Sequence, residues 1–538
     1  MCDSLWGEEF KLPEKPKAKE IVKKIKKETL DINDENNIKK IVKSKKVSLG
    51  EKLNLINAEV TRVLSKQKDN IVCIMDKNTF DDYINKCIQN KIIAIDTETN
   101  NSLDPITCKL MGLCLYTPNE KQAYIPVNHR DSKTGIRLEN QLTEKDIAEG
   151  LEKVIAAKTY SVLHNGKFDY EVLKCTCGVL INIDWDTMIG AKLLDENELS
   201  AGLKQQFIEK IDPSQEKYSI DHLFNGVEYA DVDPNIFAYY AATDSLMTYK
   251  LYLWQKERFD LPENNKLLKL AEVTEMPLVK VIAEMELAGM EVDQNYAALL
   301  STKFHKNLDK VDSQLEIELG KLKDKISTWR LTPEANEKTK KRNGEAGGKS
   351  KSEMLEDPIN LSSPTQLAIL FYDVLKAPTV NKKSPRGTGE EDIKAIDEKL
   401  HLPLFQLLLK RRELVKLLTT YIDSIPELAK RWPDGRVRTH FNQYGAATGR
   451  LSSSDPINFQ NIPSHFTEVR LLFRAKGDYH VIEPENSSYT VSAFDSVETP
   501  HGFVYASNIK AGDNLLIDNN PIKIKDIVKS NNNYIIYV

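Results

Sequence analysis

The 538-residue sequence has no apolar run long enough to cross a membrane, and no apolar core follows its charged N-terminus as in a secretion signal. Cysteine is scarce and scattered, at Cys2, Cys73, Cys87, Cys108, Cys114, Cys175 and Cys177. Cys175 and Cys177 have one residue between them where a zinc knuckle needs at least two, and there is no second pair. A structural zinc site is therefore not expected, and free thiols point to a reducing compartment, the cytosol of a bacterium or of a host cell. The net charge of −5 excludes an overall basic field, so any surface for a polyanion must be local. Aromatics are nearly absent from residues 1–70 after Trp6 and Phe10. That lysine-rich stretch offers little apolar surface and reads as a solvated, partly disordered arm.

What is present is enough apolar material, 41% of residues, for three or four domains. From Asn70 onwards strands alternate with helices. IVCIMD and KIIAID read as strands, with NTFDDYINKCIQN as a helix between them. LMGLCLYT and QAYIPV read as an antiparallel pair, and LTEKDIAEGLEKVIAA as an amphipathic helix capped by Thr143. YSVLHNG then runs into the helix begun by KFDYEVLKCT. This grammar predicts an α/β domain over 71–262.

Its centre is the strand ending in Asp96-Thr97-Glu98. Residues two apart on a strand share a face, so the two carboxylates project side by side from a buried strand. A cation between them relieves their repulsion, and oxygen donors suit magnesium or manganese. Asp169 falls at the start of a helix, where a carboxylate is favoured. Tyr240 and Asp244 are four residues apart on a helical stretch and share one face. Taken singly, each of these is more often a surface or capping residue.

Together, Asp96-Thr97-Glu98, Asn165-Gly166-Lys167-Phe168-Asp169 and Tyr240-Ala-Ala-Thr-Asp244 resemble the three motifs of the proofreading 3′–5′ exonuclease domain. WDTMIGAKLLDEN, from Trp185, resembles the helix between the second and third motifs. The resemblance implies a ribonuclease-H-like fold and hydrolysis of DNA 3′ ends. Two Mg2+ or Mn2+ ions per site would be held by Asp96, Glu98, Asp169 and Asp244, with Tyr240 orienting the attacking water. Two-metal chemistry of this kind places the ions roughly 3.5–4 Å apart and needs no histidine or serine nucleophile.

Beyond residue 262 the pattern is mainly helical. EMPLVKVIAEMELAGMEVD resembles the segment joining exonuclease to polymerase in family A (DNA polymerase I type) DNA polymerases. INLSSPTQLAILFYDVL and LLLKRRELVKLLTTYIDSIP resemble parts of that family's thumb, and DGRVRTHFNQYGAATGRLSSSDPINFQNIP resembles the start of its palm. Residues 263–482 are thus expected to be an α-rich thumb and the beginning of the palm. Between Lys376 and Arg450 fifteen Lys or Arg face nine acids, the local basic excess that the net charge hides. Arg412, Lys416, Arg450, Gln460 and Asn461 are the expected contacts to DNA primer-template, through phosphate, sugar or minor groove.

The sequence then departs from that family. The expected Asp-Tyr-Ser motif and its metal-binding aspartate are replaced after Ile482 by EPENSSYTVSAFDSVETPHGFVYASNIK. Polymerase catalysis is therefore not expected from this chain alone, and a second chain with the rest of palm and fingers is the expected partner. Residues 483–538 read as short β-segments and resemble the opening of an intein-type (Hint) domain. Ser492 is the nearest candidate splice junction of a split intein, but no histidine follows His501. The alternatives are a non-catalytic DNA-binding subunit of a split polymerase, a split-intein precursor, and a standalone RNA exonuclease, which leaves the thumb and palm motifs unexplained.

Overall fold

The computed structural model describes residues 43–474 apart from 45, 65–68, 196, 198–200, 215–220, 225, 339–347, 447 and 465, and beyond these only the strands of the tail. It divides into two compact units, Met1–Gly289 with Arg438–Pro456, and Met290–Val437 with Ile457–Val538.

The first unit is built on a six-stranded mixed sheet in the order β1-β4-β3-β2-β5-β6. Its strands are β1 (Ile71–Cys73), β2 (Ile92–Thr99), β3 (Leu110–Tyr116), β4 (Gln122–Pro126), β5 (Tyr160–Leu163) and β6 (Trp185–Asp186). β2 runs antiparallel to β3 and parallel to β5, so the strand carrying Asp96 and Glu98 is central. Alternation sends Ile93 and Ile95 into one core with Phe80 and Ile84 of α1 (Lys77–Asn90) and Ile147 and Leu151 of α2 (Glu144–Ala156). Thr143 caps α2 in a reciprocal capping box with Asp146, as its sequence predicts. The opposite face buries Cys114 and Tyr124 against Phe237, Ala238, Ala241 and Ala242 of the long helix Pro234–Phe259. Small residues on that helix let it lie close to the sheet.

The expected solvated arm differs in one part. Residues 1–42 lie outside the described residues, but Leu49–Leu64 is a helix with Leu53, Leu55, Ile56 and Val60 buried in the second core. Leu53, Ile56 and Val60, three and four residues apart, share one face with Leu55 at its edge, and complete burial stabilises each by roughly 1.5–3 kcal/mol. The composition of the stretch hid this small stripe.

The second unit is α-rich. The helix Gln294–Lys321 packs against Pro403–Leu417, with Arg411 Nε donating to Asp312 Oδ1 at 2.7 Å. Phe371 and Phe405 meet edge to face at 5.2 Å in its core. Met290–Val292, Arg436–Val437 and Phe473–Arg474 form a three-stranded antiparallel sheet. Small sheets follow near the end, including a four-stranded one that contains Ser488–Ser492. Among the described residues no helix is long and apolar enough to cross a membrane.

Candidate active site

The strand β2 presents Asp96 and Glu98 on the face covered by the helix Pro234–Phe259, which carries Tyr240 and Asp244. Asp169 arrives from the first turn of α3 (Gly166–Cys177). It is 3% exposed and accepts two hydrogen bonds through one oxygen, from Thr97 N–H at 2.8 Å and Thr97 Oγ1–H at 2.6 Å. The residue between the two strand carboxylates thus ties the third to them. Burial raises Asp169 to about 7, opposed by those hydrogen bonds. Asp96 is pushed well above the ordinary carboxylate range, first by burial and then by the charges of Asp169, Glu98 and Asp244. A buried carboxylate on which three others act in this way marks a centre suited to hard divalent cations.

The approach of α3 is set by Asp186, which the sequence did not single out. Its buried carboxylate accepts from Asn165 N–H at 3.1 Å, Gly166 N–H at 2.7 Å and Met188 N–H at 2.8 Å, fixing the starts of two helices. Asn165 is left-handed (φ 59°), and a Cβ on Gly166 would lie 2.8 Å from Cβ of Leu163. The Asn-Gly pair is therefore needed for the turn that delivers Asp169. An Asp before Thr-Met at a helix start is a legible cap; its second grip on the Asn165 turn is not.

Tyr240 stacks among Phe224, Tyr229 and Phe237, with ring centroids 4.7, 6.1 and 5.4 Å away. Lys204 Nζ lies 4.7 Å from the Tyr240 ring centroid and 3.6 Å from Asp244 Oδ2. This ammonium, from the helix Leu203–Lys210, also favours the ionised form of Asp96. Nothing in the local pattern of Lys204 announces that position. Among the described residues one group with spacing suited to a metal ion emerges, Asp96, Glu98 and Cys114, with donor atoms all within 4.8 Å of one another.

A second polar network in this unit joins α3 to the Arg438–Pro456 segment. Lys167 Nζ contacts Glu286 Oε1 at 2.5 Å and donates to the Phe441 carbonyl at 2.7 Å. Glu286, 5% exposed, also accepts from Phe441 N–H at 2.6 Å and pairs with His440 Nδ1 at 3.0 Å. Burial of Glu286 is outweighed by His440 and Lys167, which hold its carboxyl below the ordinary range.

The expected DNA contacts are distributed over both units. Arg450 is exposed in the first unit; Lys416, Gln460 and Asn461 are exposed in the second. Arg412 is half-buried and donates to the Thr388 carbonyl, which commits part of its guanidinium to the second unit's own structure. The side chain of Ser492 lies outside the described residues.

A mixed α/β sheet with an acidic centre at the end of its central strand defines the class of domain. Comparison with known proteins makes it particular. Residues 71–256 match the family model "3′-5′ exonuclease", and residues 332–485 match "DNA polymerase family A". The chain thus carries a 3′–5′ exonuclease domain followed by a family A DNA polymerase region. It is similar to DNA polymerase I of Chloroflexus aurantiacus, 29% identical over 75% of this chain and 38% of that one. It is also similar to DNA polymerase I of Synechocystis sp., 32% identical over 73% of this chain and 36% of that one. The DNA polymerase of Escherichia phage T5 is 24% identical over 76% of this chain and 45% of that protein. The chain spans about two fifths of the length of these curated relatives. Among solved structures, the fold is shared with the POL domain of Pol1 from M. smegmatis in complex with DNA primer-template and dNTP. The TM-score is 0.54 at 19% identity, over 79% of this chain and 61% of that one.

Proposed function

We propose that the 71–262 domain removes nucleotides from single-stranded DNA 3′ ends by metal-dependent hydrolysis, as the proofreading part of a DNA-directed DNA polymerase. The observation that carries this reading is the convergence on Asp96 of burial and the charges of Asp169, Glu98 and Asp244, which disfavour its ionised form without a cation. Those four side chains would hold two Mg2+ or Mn2+ ions, and an all-oxygen carboxylate set fits such ions. When bound, the ions stabilise charge on the attacking and leaving oxygens. The protein's own part is positional. Thr97 and Asp186 fix Asp169, and the aromatic cage around Tyr240 holds its ring, whose hydroxyl we read as orienting water. Replacing Asp96 and Glu98 together by Ala should abolish manganese-dependent cleavage while the melting temperature hardly falls. Cleavage persisting in that variant would sink the reading. An idle exonuclease, the binding-subunit alternative, predicts that the parent chain itself does not cleave.

Residues 263–482 we read as thumb and the start of a palm that binds primer-template. The basic excess predicts that binding weakens steeply with salt, and Arg450→Ala should weaken it alike on unrelated sequences. Primer extension is not expected of residues 263–482 by themselves, because the sequence after Ile482 is not the family's motif. The 483–538 tail is read either as the N-terminal piece of a split intein, with Ser492 near the junction, or as a Hint-like insertion. Mixing with a complementary chain separates these by mass: excision yields a ligated product lacking the tail, whereas assembly leaves two intact chains. The proposed site of action is the cytosol.

A further inference from the structure

We propose that Cys114 is a third donor at the carboxylate centre, making it a receptor for a thiophilic divalent cation of the zinc or cadmium class held by Asp96, Glu98 and Cys114. The starting point is register. Antiparallel pairing sets Cys114 of β3 directly across from Asp96 of β2, and directly paired residues point to the same face of a sheet. Glu98, two residues further along, faces Gly112, which adds no side chain there. The donor atoms of Asp96, Glu98 and Cys114 consequently lie within 4.8 Å of one another. Zinc bonds of about 2.3 Å to sulfur and about 2.0–2.2 Å to carboxylate oxygen span such a group after small side-chain adjustment.

Cys114 is fully buried, with Tyr124, Ala241 and Ala242 in the same core. Burial and then the charges of Asp96, Glu98, Asp244 and Asp169 push its thiol up, so a thiolate forms there only against a cation's charge. A sulfur donor beside the carboxylates changes the selectivity of the site. Oxygen donors alone favour magnesium and manganese, whereas a thiolate adds affinity for zinc, cadmium and cobalt and little for magnesium. Binding exchanges the S–H bond for an S–metal bond; the proton leaves to buffer, and no group is oxidised or reduced. A thiophilic cation would then compete with the hard ions proposed above. The inference uses that reading for the identity of the surrounding carboxylates, but its test is independent of nuclease activity.

The test is titration of the full chain with Co2+ alone, in buffer free of other divalent ions, followed by near-ultraviolet absorption. Thiolate coordination should give a sulfur-to-cobalt charge-transfer band that Zn2+ or Cd2+ removes by displacement and equimolar Mg2+ does not. Cys114→Ser should lose the band and bind Zn2+ at least about 10-fold more weakly, a loss already typical for an outer-shell partner. Because a buried hydroxyl could impair folding, Cys114→Ala is measured in parallel, each variant being accepted only with parental far-ultraviolet dichroism. A band of equal intensity in the parent and both variants, or no band in the parent, overturns the proposal and leaves Cys114 as a core side chain. Cleavage of single-stranded DNA by the parent in Mn2+ reports on the nuclease reading separately, so either can fail alone.

Discussion

Replacing Asp169 by Asn should stabilise the cation-free protein at neutral pH and flatten its pH dependence. Asp169 titrates at about 7 in the folded chain because burial disfavours its charged form. An unfolded aspartate titrates at about 3.9. The folded state therefore binds the proton more tightly, and stability falls as pH rises from about 4 to about 7, then levels. At 1.36 kcal/mol per unit, roughly three units correspond to a ceiling of about 4 kcal/mol. Asparagine carries no such proton, and its carbonyl oxygen can still accept from Thr97, whose donors lie 2.8 and 2.6 Å from the Asp169 oxygen. The assay is amide exchange of β2 and α3 with urea in EDTA, at pH 5 and pH 7.5. The parent should lose protection between those values, and Asp169→Asn should lose much less. Manganese should restore protection at pH 7.5 in the parent more than in the variant, because a ligand stabilises the state that binds it. Equal pH dependence in the two proteins would show that the carboxyl is not held neutral by burial.

Asp186→Ala leaves the buried Gly166 N–H and the part-buried Asn165 N–H without their acceptor. At roughly 1–3 kcal/mol for a buried donor, chemical denaturation should show destabilisation of at least that size, with lower kcat from a displaced Asp169. Tyr240→Phe should slow cleavage by up to about 10²-fold, the scale of positioning effects, with calorimetric manganese binding intact. Loss of manganese binding would instead make the tyrosine part of the metal-binding structure. Lys167→Met deprives buried Glu286 of its shortest ion pair. Breaking a buried pair typically costs about 3–5 kcal/mol, and amide exchange at 439–443 should rise; unchanged exchange would mean that His440 alone holds the segment.

Much of the carboxylate centre was legible because its internal relations are local. A strand's period of two puts Asp96 beside Glu98, and one helical turn puts Tyr240 beside Asp244; both follow from backbone geometry alone. The cap at Thr143 and the alternating α/β order are equally local, and the motif order supplied the rest of the exonuclease and family A pattern. The helix Leu49–Leu64 was missed because four apolar residues in a lysine-rich stretch gain meaning only when a sheet is there to receive them. Only tertiary structure placed Cys114 opposite Asp96, since pairing register depends on which faces of two separate strands are buried. It alone brought Lys204 beside Tyr240 and gave Asp186 two helix starts to hold. It also assigned Arg438–Pro456 to the first unit through Glu286 and Lys167, side chains more than a hundred residues apart in sequence from the segment they hold. Such contacts are fixed by packing and by the need to satisfy buried polar groups, and no local pattern encodes them.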